Sequence, residues 1–195
     1  MKTLFSRLAT LAVGMALLAV GASGQNSNDA ELTARLKKLF PNAAAFSAKA
    51  GNPARYKALG VAAGDKEGEV LGYAFWTTDI EPLERGFDGP IKMLVGLNPA
   101  GEIAGVIVTD HREPYGYFSV DLPDWPKQFE GKNIKDSFKV GTDVDAISRA
   151  TISVTSASRA IRNSSRKIAR AYLAPPAPPA GAAASGAAAP AAAAQ

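Results

Sequence analysis

The sequence predicts an α+β domain in which a twisted, mainly antiparallel sheet packs against helices, with a long amphipathic helix as its last ordered element. Three observations carry that expectation. Val70 to Thr78, Ile91 to Leu97 and Ile103 to Asp110 are rich in β-branched and aromatic residues and are bounded by turn formers, the pattern of strands. Asn98-Pro99-Ala100-Gly101 joins the last two, so those strands are expected to pair as an antiparallel hairpin. From Ile152 to Leu173, Val154, Ala157, Ile161, Ile168 and Tyr172 step along one face at helical spacing. Several strands followed by a helix bury their apolar faces most simply as a sheet layered on helices.

The remaining elements follow in chain order. Lys2 and Arg7 precede an apolar run from Leu8 to Val20, and Ala22-Ser23-Gly24 supplies small residues, so residues 1–24 read as a signal peptide cleaved after Gly24. That run is shorter than the roughly 20 residues needed to cross a bilayer. Export to a periplasm, with no transmembrane span in the mature chain, is the resulting expectation. Glu31 to Phe40 places Leu32, Leu36, Leu39 and Phe40 on one helical face, and Pro41 ends it. From Ala43 to Lys66 the pattern is weak, with a strand signal only over Tyr56 to Val61. Glu81 to Pro90 is a loop whose glycines serve either a bend or the close approach of a ligand. A long irregular region with Pro114, Pro123 and Pro126 follows His111, interrupted by a short helix around Lys127 to Glu130; loops of that length are commonly functional. Residues 174–195 are almost wholly Ala, Pro and Gly, without a charge or an aromatic ring, and read as a flexible tail. The domain is thus expected over residues 25–173.

Composition narrows the chemistry. The chain has no cysteine, which removes disulfides, thiolate nucleophiles, iron–sulfur ligation and haem attachment, and its single histidine, His111, rules out a His-rich zinc or copper site. Redox chemistry here would need an organic cofactor. The formal net charge is +4, two units of which belong to Lys2 and Arg7, too little to indicate nucleic acid. The basic residues crowded on the last helix serve either as a solvated face or toward an anionic partner or phosphate-bearing cofactor.

One segment admits a sharper reading. Thr151 stands at the entry to the last helix, where backbone N–H groups lack partners and the helix dipole favours negative charge, so a phosphate would be stabilised there. Ala150 is small, Ser148 can exchange a hydrogen bond and Asp145 can tie down the turn. From local sequence alone, a helix cap at Ser148 or Thr151 accounts for the same residues.

Asp145-Ala146-Ile147-Ser148-Arg149-Ala150-Thr151 resembles the Asp-x-x-Ser/Thr-Gly-Ala-Thr signature of periplasmic FMN-binding domains, a family that includes the G subunit of Rnf complexes and the C subunit of sodium-translocating NADH:quinone reductases. The resemblance extends from about Leu36 to Leu173 and is nearest to the NosR-type proteins of nitrous-oxide respiration. It runs through Leu39-Phe40-Pro41, Leu71-Gly72-Tyr73, Thr77, Asp79, Gly86-Phe87-Asp88-Gly89-Pro90-Ile91, Leu94-Val95-Gly96-Leu97, Gly101-Glu102-Ile103-Ala104-Gly105-Val106 and His111-Arg112-Glu113-Pro114. It implies FMN esterified through its phosphate to Thr151, attached by a flavin transferase that uses FAD and Mg²⁺, with Asp145, Ser148 and Ala150 shaping the turn. It also implies that His111 and Glu113 lie near the flavin or brace the loop over it, while Tyr115, Tyr117, Phe118 and Trp125 either shield the isoalloxazine or pack on the core.

Arg149 departs from the signature, which has Gly there; a turn needing positive φ would make that side chain costly. The implied role is an electron carrier for a respiratory partner in the membrane or periplasm, without a catalytic acid or base of its own. A regulatory or assembly module, or a flavin-dependent reductase, are the rival expectations. The sequence has no GxGxxG fingerprint for a dinucleotide.

Overall fold

The computed structural model describes residues 26–64 and 66–173. The expected signal peptide and Ala/Pro tail lie outside the described residues. In order, the elements are α1 (Asn26–Leu39), β1 (Ala45–Phe46), β2 (Tyr56–Leu59), β3 (Val70–Trp76), α2 (Thr77–Ile80), β4 (Lys92–Leu97), β5 (Ile103–Asp110), α3 (Asp124–Lys127) and α4 (Thr151–Tyr172), with a 3₁₀ turn at Gly116–Phe118. The five strands form one antiparallel meander in the order β1-β2-β3-β4-β5. The α+β expectation holds, and the hairpin closes through Asn98 as read from the sequence, with the Gly101 N–H donating to the Asn98 carbonyl at 3.0 Å.

Alternation along the strands assigns the two faces of the sheet. Phe75, Met93, Val95, Leu97, Ile103 and Val106 point into one core together with Val154, Ala157, Ile161 and Ile168 of α4. Ala58, Ala74 and Leu94 point the other way, onto Leu36, Leu39 and Phe40 at the end of α1. The sheet is therefore the middle layer between α1 and α4. Close approach on the α1 side depends on side chains that are missing: a Cβ on Gly72 would stand 2.5 Å from Phe40 Cε1, and one on Gly96 would stand 3.2 Å from the same ring. Phe40 lies in the trough those two residues leave open.

Departures from the expected boundaries have local causes. β3 stops at Trp76 because Thr77 is buried and its hydroxyl stands in for a ladder partner, accepting from the Met93 N–H at 3.2 Å and donating to the Ile91 carbonyl at 3.4 Å. The chain then makes the single helical turn α2. β2 ends two residues early, leaving Val61 84% exposed. α1 begins at Asn26 rather than Glu31, with Asp29 in its first turn, where the dipole favours a carboxylate. α3 occupies Asp124–Lys127, earlier than expected, because Pro126 is tolerated in a first helical turn and Trp125 enters the core. The two-residue β1 is too short to show periodicity. No helix among the described residues is long and apolar enough to cross a membrane.

The Phe40 trough gives a stability test. Phe40→Ala should lower the unfolding free energy by about 3 kcal/mol, and Gly72→Ala should also destabilise by displacing the ring, both read from urea denaturation midpoints.

Candidate functional site

The N-terminus of α4 is open for chemistry. Val154 makes the first backbone bond of the helix, to the Ala150 carbonyl, while the N–H groups of Thr151, Ile152 and Ser153 donate to no acceptor among the described residues. The N-cap position belongs to Ala150, which has no side chain to cap with. Thr151 is thus the first helical residue and not a cap; its side chain is exposed and its hydroxyl makes no hydrogen bond among the described residues. Ala150 is 2% exposed and fixes the turn to the core. Arg149 has φ +68°, in the left-handed region where L side chains are disfavoured. The position that carries Gly in the resembled signature is therefore a left-handed one, and Arg149 occupies it under strain.

Asp145 and Ser148 are exposed, and neither side chain makes a hydrogen bond among the described residues. The turn is tied instead by the Ala150 N–H donating to the Ile147 carbonyl at 3.1 Å, and by the Asp145 N–H donating to Gln128 Oε1 at 2.7 Å. Upstream, Asp143 knots the approach: it accepts from the Ser137 hydroxyl and the Phe138 N–H, both at 2.8 Å, and from the Lys139 N–H. Burial works against the Asp143 charge, but the Ser137 hydroxyl and the Lys139 and Phe138 amides outweigh it and hold its carboxyl below the ordinary range.

Glu113 joins the parts. It is 7% exposed, and both carboxylate oxygens are committed: Oε2 accepts from the Phe87 N–H at 2.9 Å and from the Ser153 hydroxyl, and Oε1 accepts from the Asp88 N–H at 3.1 Å. One buried carboxylate therefore fastens the glycine loop to the first turn of α4. Gly86 lets it in, since a Cβ there would stand 2.7 Å from the Glu113 carboxyl carbon. At Gly86 the group that comes close is the Glu113 carboxylate of the protein itself, not a ligand. Glu113 braces this loop.

His111 fixes Glu113 in turn. The Glu113 N–H donates to His111 Nδ1 at 3.1 Å, which leaves Nε2 to carry the proton shared with Asp121 Oδ1 at 2.7 Å. The ring lies against Gly116, where a Cβ would collide with Cε1. Among the aromatic residues, Trp125 is 3% exposed in the core against Phe129, so packing accounts for it, and Phe118 is half-buried against the same core. Tyr115 and Tyr117 are 44% and 70% exposed and touch Phe118. Phe87 and Ile152 are 67% and 57% exposed, each within one residue of a group that meets at Glu113 Oε2. An apolar rim thus borders the open helix end.

Ser153 and Asp121 escaped the sequence reading. Ser153 left a trace, a hydroxyl on the buried face of an amphipathic helix; Asp121, ten residues from His111 across an irregular loop, left none. Two open clefts lie elsewhere. One of about 560 Å³ is lined by Pro99, Gly101, Ile134, Arg166 and Leu173, and one of about 620 Å³ by Asn52, Pro53, Asp79, Lys167 and Arg170. Both flank the C-terminal end of α4 and neither reaches Thr151. The helix entry outweighs them because it combines uncommitted donors, an uncommitted hydroxyl and an apolar rim.

Residues 86–166 match the model of the FMN-binding domain family. The chain is 28% identical over 145 residues to the regulatory protein NosR of Stutzerimonas stutzeri, covering 69% of this chain and 19% of that protein. It is 32% identical over 114 residues to the G subunit of an ion-translocating oxidoreductase complex of Haemophilus influenzae, covering 53% of this chain and 51% of that protein. NosR of Pseudomonas aeruginosa is 27% identical over 166 residues, covering 80% of this chain and 22% of that protein. The chain spans about a fifth of the NosR relatives and about half of the oxidoreductase-complex relative.

Three outcomes are expected of this site. Glu113→Ala leaves two amides and a hydroxyl without their acceptor and should cost about 3 kcal/mol, read by thermal unfolding. Arg149→Gly should raise stability by about 1 kcal/mol by relieving the left-handed residue, read the same way. Asp143, whose folded pKa is lowered, stabilises the fold above its ordinary value near 4 and loses that contribution as pH falls through the folded value. Amide protection factors over residues 137–144, corrected for the intrinsic pH dependence of exchange, should therefore fall in acid, and Asp143→Asn should flatten that dependence.

Proposed function

On the premise that residues 86–166 are a member of the FMN-binding domain family, we propose that this chain is an exported flavoprotein that carries FMN on Thr151 through a phosphoester bond and passes electrons to a respiratory partner. The observation that carries this reading is the state of Thr151: an exposed, uncommitted hydroxyl at the first residue of a 22-residue helix whose first three N–H groups have no acceptor among the described residues. A phosphate ester at that hydroxyl sits where the helix dipole and those donors favour negative charge. The residues present fit the cofactor at both ends, since Phe87, Tyr115 and Ile152 offer exposed apolar surface for a ring system.

Bound FMN supplies one- and two-electron chemistry; the protein positions it and sets its surroundings. Thr151 fixes the phosphate end. Glu113 holds the glycine loop and the helix entry at a constant distance, and His111, which accepts the Glu113 N–H at Nδ1, locks Glu113. Such a chain is an electron-transfer protein rather than a stand-alone enzyme. Maturation in the periplasm would require a flavin transferase that draws on FAD and Mg²⁺, and the redox partner would belong to nitrous-oxide respiration or a related anaerobic chain. The second reading, a regulatory or assembly module that holds FMN without turnover, is favoured by the regulatory naming of the NosR relatives. Reduction and reoxidation of the bound flavin by membrane preparations separates the two.

The test of attachment is direct. Co-expression with a flavin transferase should add the mass of FMN less one water and give in-gel flavin fluorescence after denaturation, and Thr151→Val should abolish both. Retention of the added mass in Thr151→Val moves the site elsewhere.

A further inference from the structure

Ten arginines occur in the sequence, and nine of them lie among the described residues. Six of these are engaged: Arg35 with Glu31, Arg55 over the Tyr172 ring, Arg159 with Glu84, Arg162 with Asn163, Arg166 with the Ile134 and Asp136 carbonyls, and Arg170 with the Arg166 carbonyl. The other three, Arg85, Arg112 and Arg149, are exposed and have no hydrogen bond, ion pair or ring contact among the described residues. They are not scattered. Arg85 precedes Gly86, which packs on the Glu113 carboxylate; Arg112 precedes Glu113 itself, with Nη2 at 3.4 Å from where a Gly89 Cβ would stand; and Arg149 lies two residues before Thr151. Glu113 binds the glycine loop and the start of α4 together, so all three unpaired guanidinium groups belong to the segments that meet at the helix entry.

Resting on the flavin reading above, we propose that Arg149 is a phosphate-positioning residue for the flavin, and that the strained left-handed backbone at this position is kept because its guanidinium is needed there. Glycine would satisfy φ +68° without strain. It would supply no charge. A guanidinium offers paired N–H donors matched to phosphate oxygens, and at a helix entry it adds to a field already favourable to an anion. Arg112 and Arg85 extend the same positive field over the glycine loop. The ligand class is the phosphate end of a flavin mononucleotide rather than an acidic face of a protein partner, because Arg149 is in the turn that presents Thr151.

The test separates charge from strain. The full-length Thr151→Val chain is titrated with FMN and with riboflavin, which lacks the phosphate, by fluorescence quenching; the transferase-loaded chain with Thr151 intact is observed by ³¹P NMR. Arg149→Gln should weaken FMN binding by about tenfold while leaving riboflavin unchanged, and should shift the phosphodiester resonance. Arg149→Lys should restore most of the FMN preference. Arg149→Gly should lose it although that variant is the more stable one, whereas a purely structural role requires the stabilised variant to bind at least as well. An unchanged FMN-to-riboflavin ratio and an unchanged ³¹P resonance in Arg149→Gln and Arg149→Gly overturn the inference and leave the flavin reading standing. The same result accompanied by slower electron transfer to membrane preparations assigns Arg149 to partner docking and also overturns it. Absence of flavin in either form, bound or attached, removes the flavin reading itself.

Discussion

The site depends on one buried carboxylate. Glu113 sits 40 residues from Ser153 and 26 from Phe87 in sequence, yet its oxygens accept from both, so a strand-end residue joins the glycine loop to the first turn of α4. A carboxylate at 7% exposure is stable only when its lone pairs are met by donors, and here two amides and a hydroxyl meet them. The same arrangement makes it exacting. Gly86 has to lack a side chain for the carboxylate to enter, and Gly116 has to lack one for the Cε1 edge of His111 to come close while its Nδ1 accepts the Glu113 N–H. Three loops that propensity leaves undetermined are thereby held in one geometry.

That constraint explains how an antiparallel sheet with its helices would support the proposed cofactor site. The meander and the two helix layers are ordinary hydrophobic architecture, and they set the direction of α4 by burying Val154, Ile161 and Ile168 against β4 and β5. Packing alone leaves the entry to α4 free to fray, because Ala150 provides no cap. Ser153 on Glu113, together with the Asp143 knot over residues 137–144, restrains it from both sides. Thr151 is left with an exposed hydroxyl on a rigid base, the condition a covalent attachment point requires.

Much of the fold is legible in the sequence, for reasons that can be named. β5 is a run rich in β-branched residues between turn formers and α4 is long and strongly periodic, and these patterns place their ends to within a residue. α3 and the end of β3 fall elsewhere than the pattern puts them because the deciding facts are tertiary: Trp125 is drawn into the core, and the Thr77 hydroxyl replaces a ladder partner. The helix entry is legible as a place suited to phosphate but not distinguishable from a capped turn, since that distinction rests on Ala150 occupying the cap position. The left-handed backbone of Arg149 is foreseen only as a consequence of where the resembled signature has glycine. Ser153, Asp121 and the accommodation of Glu113 by Gly86 leave almost no sequence signal, because each joins segments far apart in the chain.

On the proposed reading the flavin occupies the entry to α4. A crystal structure of the transferase-loaded chain tests it most directly. Density should join the flavin phosphate to Thr151 Oγ1, with the ring system against the rim formed by Phe87 and Ile152. A flavin seated instead in either cleft at the far end of α4, beside Ile134 and Arg166 or beside Pro53 and Lys167, would contradict it.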